Sequence, residues 1–246
     1  LLEDETLDTL PSGGSILPDL SSNVVHGNSL VRPSTAHPEW LDAPLYAIDL
    51  DAIGFAQFDV VVGNPPYVST EDMRRINKQE FDIVQGSYLT LLRQWDKYFA
   101  FIEFAVERLS KDGVIGVVIP NKWMTVVSAS SLRRLLSSTV HVSWLLNFTY
   151  HPVFETKQIY VCGLVATKHI TPYVQYAEPS SVDDFSVSMR MLPRSHWLPT
   201  PVSDPWVLPA NFKEEEILDA IRTDSLPLGA IVEARNGLQT SANDVF

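Results

Sequence analysis

The stretch Phe58-Asp59-Val60-Val61-Val62-Gly63-Asn64-Pro65-Pro66-Tyr67 decides the reading of this chain. Its first part is a short apolar run of β-branched residues, which predicts a buried strand. Pro65 and Pro66 fix φ and remove two amide donors, so the strand ends in a stiff turn whose carbonyls have no local amide competing for them. The side-chain oxygen of Asn64 and the carbonyl of Pro65 are acceptors. Tyr67 adds a flat aromatic face. Two such acceptors suit a planar amine whose lone pair is delocalised into a ring. Holding both amine hydrogens pulls the nitrogen toward a tetrahedral shape and frees the lone pair for attack.

Outward from this run, the pattern alternates strands and helices. Residues 24–30 read as a short strand with a polar end at Asn28, and residues 32–54 as a Pro-containing connection. Residues 68–97 are polar and predict a long loop with some helix. Residues 100–109 place Phe101, Phe104, Ala105 and Leu109 on one helical face, with Gly113 expected to end that helix. Residues 114–119 are an uninterrupted apolar strand, as expected when both sheet faces are covered. Residues 126–138 predict a helix, 142–148 and 159–167 two strands, and 214–223 another helix. This order predicts an α/β layered sheet with helices on both faces. Ligands sit at the carboxyl ends of strands in such sheets, and Asn28, Asn64 and Asn121 all fall just past strand ends.

Composition is that of a folded globular protein: 45% hydrophobic and 20% charged over 246 residues. There is no apolar run of about 18 residues, hence no membrane-spanning helix is expected. No signal peptide is read, so a cytoplasmic location is expected. The single cysteine, Cys162, lies in an apolar run and reads as buried and inert. The six histidines are scattered, and no metal site is expected. The net charge of -12 argues against simple nucleic-acid binding. Its distribution softens that argument. Residues 1–60 hold ten acidic and one basic residue, whereas residues 111–170 hold six basic and two acidic. A cleft lined by Arg74, Arg75, Lys78, Lys122, Arg133, Arg134 and Lys157 is therefore an expectation to test.

The Asn64-Pro65-Pro66-Tyr67 motif resembles the signature of S-adenosylmethionine-dependent amino-methyltransferases. The chain from about Val24 onward is similar to adenine-specific DNA methyltransferases of restriction–modification systems, especially the type IIG and related phage-defence enzymes. The resemblance implies a Rossmann-like methyltransferase sheet, double-stranded DNA with a flipped adenine as partner, and S-adenosylmethionine as cofactor. It implies that Asn64 and Pro65 bind the 6-amino group while Tyr67 stacks on the base. Asn28 matches the position that contacts the cofactor's adenine, and Pro66 is placed beside it. Asn121, in Pro120-Asn121-Lys122-Trp123, follows the family's next strand. Phe154, in His151-Pro152-Val153-Phe154-Glu155, matches the aromatic that packs on the opposite face of the base, with Lys157 nearby. Sandwiching an extruded base between aromatics offsets the few kcal/mol of unstacking.

The family's Gly-rich turn for the methionine part of the cofactor is not found, and Ala47-Ile48-Asp49-Leu50-Asp51 falls on the wrong side of Asn28 to be the ribose-binding strand. The reading is thus a fragment of a larger parent. Residues 1–170 are the C-terminal part of a catalytic domain, 171–225 a connecting region, and 226–246 the opening of a target-recognition domain, including Asn236-Gly237. The same motif serves protein-glutamine and ribosomal RNA amino-methyltransferases, and a non-catalytic role in a larger defence protein is the third alternative.

Overall fold

The computed structural model describes residues 23–32, 47–52, 54, 56–148, 159–179, 189–226 and 228–233. Six strands make one mixed sheet: β1 (Phe58–Gly63), β2 (Leu109–Pro120), β3 (His141–Asn147), β4 (Val161–Thr167), β5 (Tyr173–Ala177) and β6 (Arg190–Pro193). Their spatial order is β1-β2-β4-β3-β5-β6. β1 runs parallel to β2 and β3 to β5, while the β2–β4, β3–β4 and β5–β6 pairs are antiparallel. Among the described residues six α-helices flank the sheet: α1 (Thr70–Ile76), α2 (Lys78–Ser87), α3 (Lys97–Arg108), α4 (Ser130–Ser138), α5 (Arg194–Trp197) and α6 (Phe212–Asp224). The expected α/β architecture is present.

Several expectations need correction. The polar stretch 68–97 is largely helical, because Ser69 and Asn77 each cap the next helix by accepting from an amide three residues on. Gly113 does not end α3. That helix stops at Arg108, and residues 110–113 bulge out of β2, since Phe58 faces Leu109 whereas Val60 faces Val114. A Cβ on Gly113 would meet the Leu109 side chain and the Ser110 amide at 3.0 Å, so a larger residue fits this bulge only if those neighbours give way. The buried face of α3 is Tyr98, Phe99, Ile102, Ala105 and Val106, with Phe101 and Phe104 only half-buried at its margin. Residues 24–30 form no strand; a single parallel bridge joins Asn28 to Ala47.

The expected connecting region 171–225 adds β5 and β6 to the sheet. It also packs Trp197 and Trp206 into the core. Trp206 lies between Trp123 and Trp197, with ring centroids 5.1 and 5.0 Å away and planes inclined at 76° and 73°. The edge-to-face geometry suits the ring quadrupoles. Arg133, expected in a basic cleft, is buried. Its guanidinium donates to the carbonyls of Ser203, Trp123 and Val126, tying α4 to this layer.

Composition predicts a buried strand at β1; among the described residues β1 pairs with β2 alone, and in this chain Val60 and Val62 are 62% and 78% exposed. Residues 149–158 and 234–246, and with them Phe154, Lys157 and Asn236-Gly237, lie outside the described residues.

Candidate active site at the end of strand β1

Residues 64–67 leave β1 at its carboxyl end, the usual place for ligands in an α/β sheet. The segment behind them is clamped. The Lys97 amide donates to the Val68 carbonyl at 2.8 Å, and Thr70 exchanges hydrogen bonds with Trp95 at 2.5 and 2.8 Å. Tyr67 packs edge-on against the buried Tyr98, centroids 6.3 Å apart. Two stiff prolines before Tyr67 and this clamp after it leave the turn little freedom.

The turn divides two cavities. Asn64, Pro65 and Pro66 line one of about 340 Å³, together with Val61, Val62, Phe101, Phe104, Arg108 and Ser29. Tyr67 lines the other, of about 360 Å³, with Asp96, Asn121, Lys122 and Tyr160. The structure therefore brings Tyr67 and Asn121 to one cavity and Asn64 to Pro66 to its neighbour. Asn121 donates through Nδ2 to Asn147 at 2.9 Å, and its Oδ1 carries no hydrogen bond among the described residues. Asn147 in turn donates to the Tyr176 hydroxyl at 3.3 Å.

The Tyr67 hydroxyl lies 2.5 Å from Asn64 Oδ1 and 3.0 Å from the Val118 carbonyl. Burial pushes its pKa up to about 12, with a smaller contribution from Cys162, so the phenol stays protonated near neutral pH. Cys162 is fully buried, and burial pushes its thiol up to about 12 as well, which makes it unreactive.

Asn28 is committed elsewhere. Its Nδ2 donates to Glu80 at 2.9 Å and its Oδ1 accepts from the Leu30 amide at 3.0 Å. Glu80 is also paired with Lys97 at 2.6 Å, so Asn28 holds its own segment onto α2 and α3. Among the described residues the expected basic cleft is not assembled. Arg75, Lys78 and Lys122 pair with Asp72, Asp82 and Asp96, and Arg74 lies over the Phe81 ring. Sequence reasoning missed Tyr160, which immediately precedes β4 and accepts the Asn121 amide through its carbonyl at 3.0 Å. An aromatic just ahead of a strand was the only signal for it. The Asp96–Lys122 pair, 2.9 Å apart, spans α3 and the turn after β2, which no local pattern reveals. Among the described residues no group of three or more His, Cys, Asp or Glu is placed to hold a metal, and no helix is long and apolar enough to cross a membrane.

A mixed sheet with helices around it and an Asn-Pro-Pro-Tyr turn at a strand end defines a Rossmann-like methyltransferase fold. Residues 14–154 match the family of Eco57I restriction-modification methylases, and the chain belongs to that family. It is similar to the type II restriction enzyme and methyltransferase RM.Eco57I of Escherichia coli, with 34% identity over all of this chain and 25% of that protein. It is also 28% identical to the type II methyltransferase M.BstVI of Geobacillus stearothermophilus, over 41% of this chain and 18% of that one. Among solved structures, the type IIG restriction endonuclease BpuSI aligns with a TM-score of 0.43 at 18% identity, covering 57% of this chain and 20% of that chain. The chain thus spans about a quarter of the length of RM.Eco57I.

The methyl donor of this family is S-adenosylmethionine. The residues around the first cavity suit the flat, apolar part of such a ligand through Val61, Phe101 and Pro66. Among the described residues this lining holds no carboxylate for a ribose, and its Arg108 is paired with Asp51 at 2.7 Å. The described residues do not make a complete seat for the donor.

Proposed function

We propose that this chain carries the amine-binding half of an adenine-specific DNA methyltransferase acting within a restriction–modification or phage-defence enzyme. The observation that carries the proposal is the Asn64–Tyr67 turn, clamped at the carboxyl end of β1 between two cavities. Asn64 Oδ1 and the Pro65 carbonyl accept the two hydrogens of the adenine 6-amino group. With both hydrogens held, the nitrogen moves toward a tetrahedral shape and its lone pair localises on the open side. The Tyr67 ring stacks on the extruded base, at a gain of about 1–3 kcal/mol that offsets unstacking. Asn121 adds an acceptor from the second cavity, and the family resemblance assigns contacts with base and backbone to Phe154 and Lys157, which lie outside the described residues. S-adenosylmethionine is the methyl source, with Pro66 beside it. Residues 226–246 open the part that reads the DNA sequence, and the functional protein is longer than this chain.

The test is transfer of labelled methyl groups by the full-length protein to duplex DNA, followed by nucleoside analysis. N6-methyladenine in DNA is the expected product. Label in cytosine, in RNA or in a protein glutamine instead would replace this reading with one of its relatives.

A further inference from the structure

Tyr67 contributes a ring and a hydroxyl, and the geometry gives them separate tasks. The hydroxyl has one hydrogen, yet it faces two oxygen acceptors: Asn64 Oδ1 at 2.5 Å and the Val118 carbonyl at 3.0 Å. In this arrangement one acceptor goes without a full hydrogen bond. Asn64 Nδ2, a donor, has no hydrogen bond among the described residues. A half-turn of the Asn64 amide about its Cβ–Cγ bond removes both mismatches. Nδ2–H then donates to the phenol oxygen, and the phenol hydrogen goes wholly to Val118. The same half-turn swings Oδ1 away from Tyr67.

The direction of this chain of hydrogen bonds is fixed by its anchor. Val118 lies on β2, which is paired on both sides, and a backbone carbonyl only accepts. The register between β1 and β2 ends at Gly63 opposite Val117, and the prolines beyond carry no amide hydrogen for the next carbonyl. The phenol is protonated near neutral pH and is thus able to donate to Val118 while accepting from Asn64.

We propose that the Tyr67 hydroxyl is a positioning group: anchored on the Val118 carbonyl, it accepts from Asn64 Nδ2 and so turns Asn64 Oδ1 toward the substrate amine. The amide has two orientations. In one, Oδ1 rests on Tyr67 and the site offers the amine a donor. In the other, Oδ1 is released and the site offers an acceptor. An incoming amine selects the second, because only there does the hydrogen on nitrogen meet an oxygen.

This inference rests on the amino-methyltransfer reading and refines the roles of Asn64 and Tyr67 within it. Its test is the single-turnover rate of methyl transfer to duplex DNA by the full-length protein. Tyr67→Phe keeps the ring and removes the hydroxyl. The expected result is a transfer step slowed by about ten-fold or more, with DNA affinity and melting temperature unchanged. In an Asn64→Asp background both side-chain oxygens are equivalent, and no wrong end exists to be turned. There Tyr67→Phe should cost less than about three-fold. Equal losses in both backgrounds, or a native-background loss under about two-fold, would overturn the proposal. Where Asn64→Asp is too slow to follow, 3-fluorotyrosine at position 67 decides. It donates better and accepts worse than tyrosine, so slower transfer supports an accepting hydroxyl, and equal or faster transfer refutes it. A wild-type protein that methylates no DNA sinks the underlying reading and this inference together. Wild-type methylation with an unaffected Tyr67→Phe sinks the inference alone.

Discussion

β1 and β4 are both short, Val-rich strands of the same sheet, and they have opposite fates. β4 lies between β2 and β3, and its Val161, Cys162, Leu164 and Ala166 are at most 1% exposed. β1 is paired among the described residues with β2 alone, and its Val60 and Val62 stand largely in solvent. Apolar composition marks a strand but not its rank in the sheet. The exposed strand of this pair delivers the candidate chemistry at its end, and the buried one holds no candidate catalytic group. Stability and activity should therefore respond to different halves of the sheet.

The largest effect expected is on activity. Asn64→Ala should slow methyl transfer by about 10²–10³-fold, the range seen when one preorganised hydrogen-bonding group is lost from a transition state. Thermal unfolding should stay unchanged, because Asn64 is exposed. A change confined to KM, with kcat intact, would show that the strand end only binds. Next comes the stability half. Leu164→Ala removes a side chain that is 1% exposed and should cost about 2–5 kcal/mol in chemical denaturation. Its counterpart on the edge, Val62→Ala, should cost at most about 0.5 kcal/mol. A loss at Val62 matching that at Leu164 would break the contrast and show that the valine face of β1 is covered in solution.

The smallest effect concerns pH. Burial raises the Tyr67 hydroxyl from 10.0 to about 12 in the folded protein, so the fold favours its protonated form. The matching contribution to stability is fully present below pH 10 and is lost as pH rises through about 12. Activity should show no inflection from this group between roughly pH 6 and 9. Ultraviolet titration of wild type against Tyr67→Phe should assign it one late-ionising phenol. A difference signal near pH 10 would mean the ring is more solvated than its packing on Tyr98 indicates.

Much of this is legible in the sequence. The run at 58–67 places a strand and the candidate turn at its end, and the apolar strands β2, β3 and β4 and the helices α3, α4 and α6 sit close to where periodicity puts them. What escaped did so for identifiable reasons. Helices α1 and α2 bury little beyond Met73, Phe81 and Val84, so their hydrophobic pattern is faint. The local signal was in their caps, Ser69 with Asp72 and Asn77 with Glu80, which resemble capping boxes. β5 and β6 are short and embedded in Pro- and Ser-rich sequence. Arg133 looks like any surface arginine, since nothing local shows that three carbonyls await it. The site divides in the same way. Asn64, Pro65 and Tyr67 are adjacent in sequence and were readable, whereas the Val118 carbonyl is 51 residues from Tyr67 and enters only through sheet register.

The tryptophan series across the sheet has a spectroscopic consequence. Trp123 follows β2, while Trp197 and Trp206 come from the segment after β6, and the three indoles contact in sequence at steep angles. Chromophores this close and this inclined couple their electronic transitions and yield a paired band of opposite sign in circular dichroism. Replacing the central Trp206 by phenylalanine should abolish that couplet while the helix signal persists. The protein thus contains an optical gauge of whether residues 194–208 are seated, readable during unfolding without any added label.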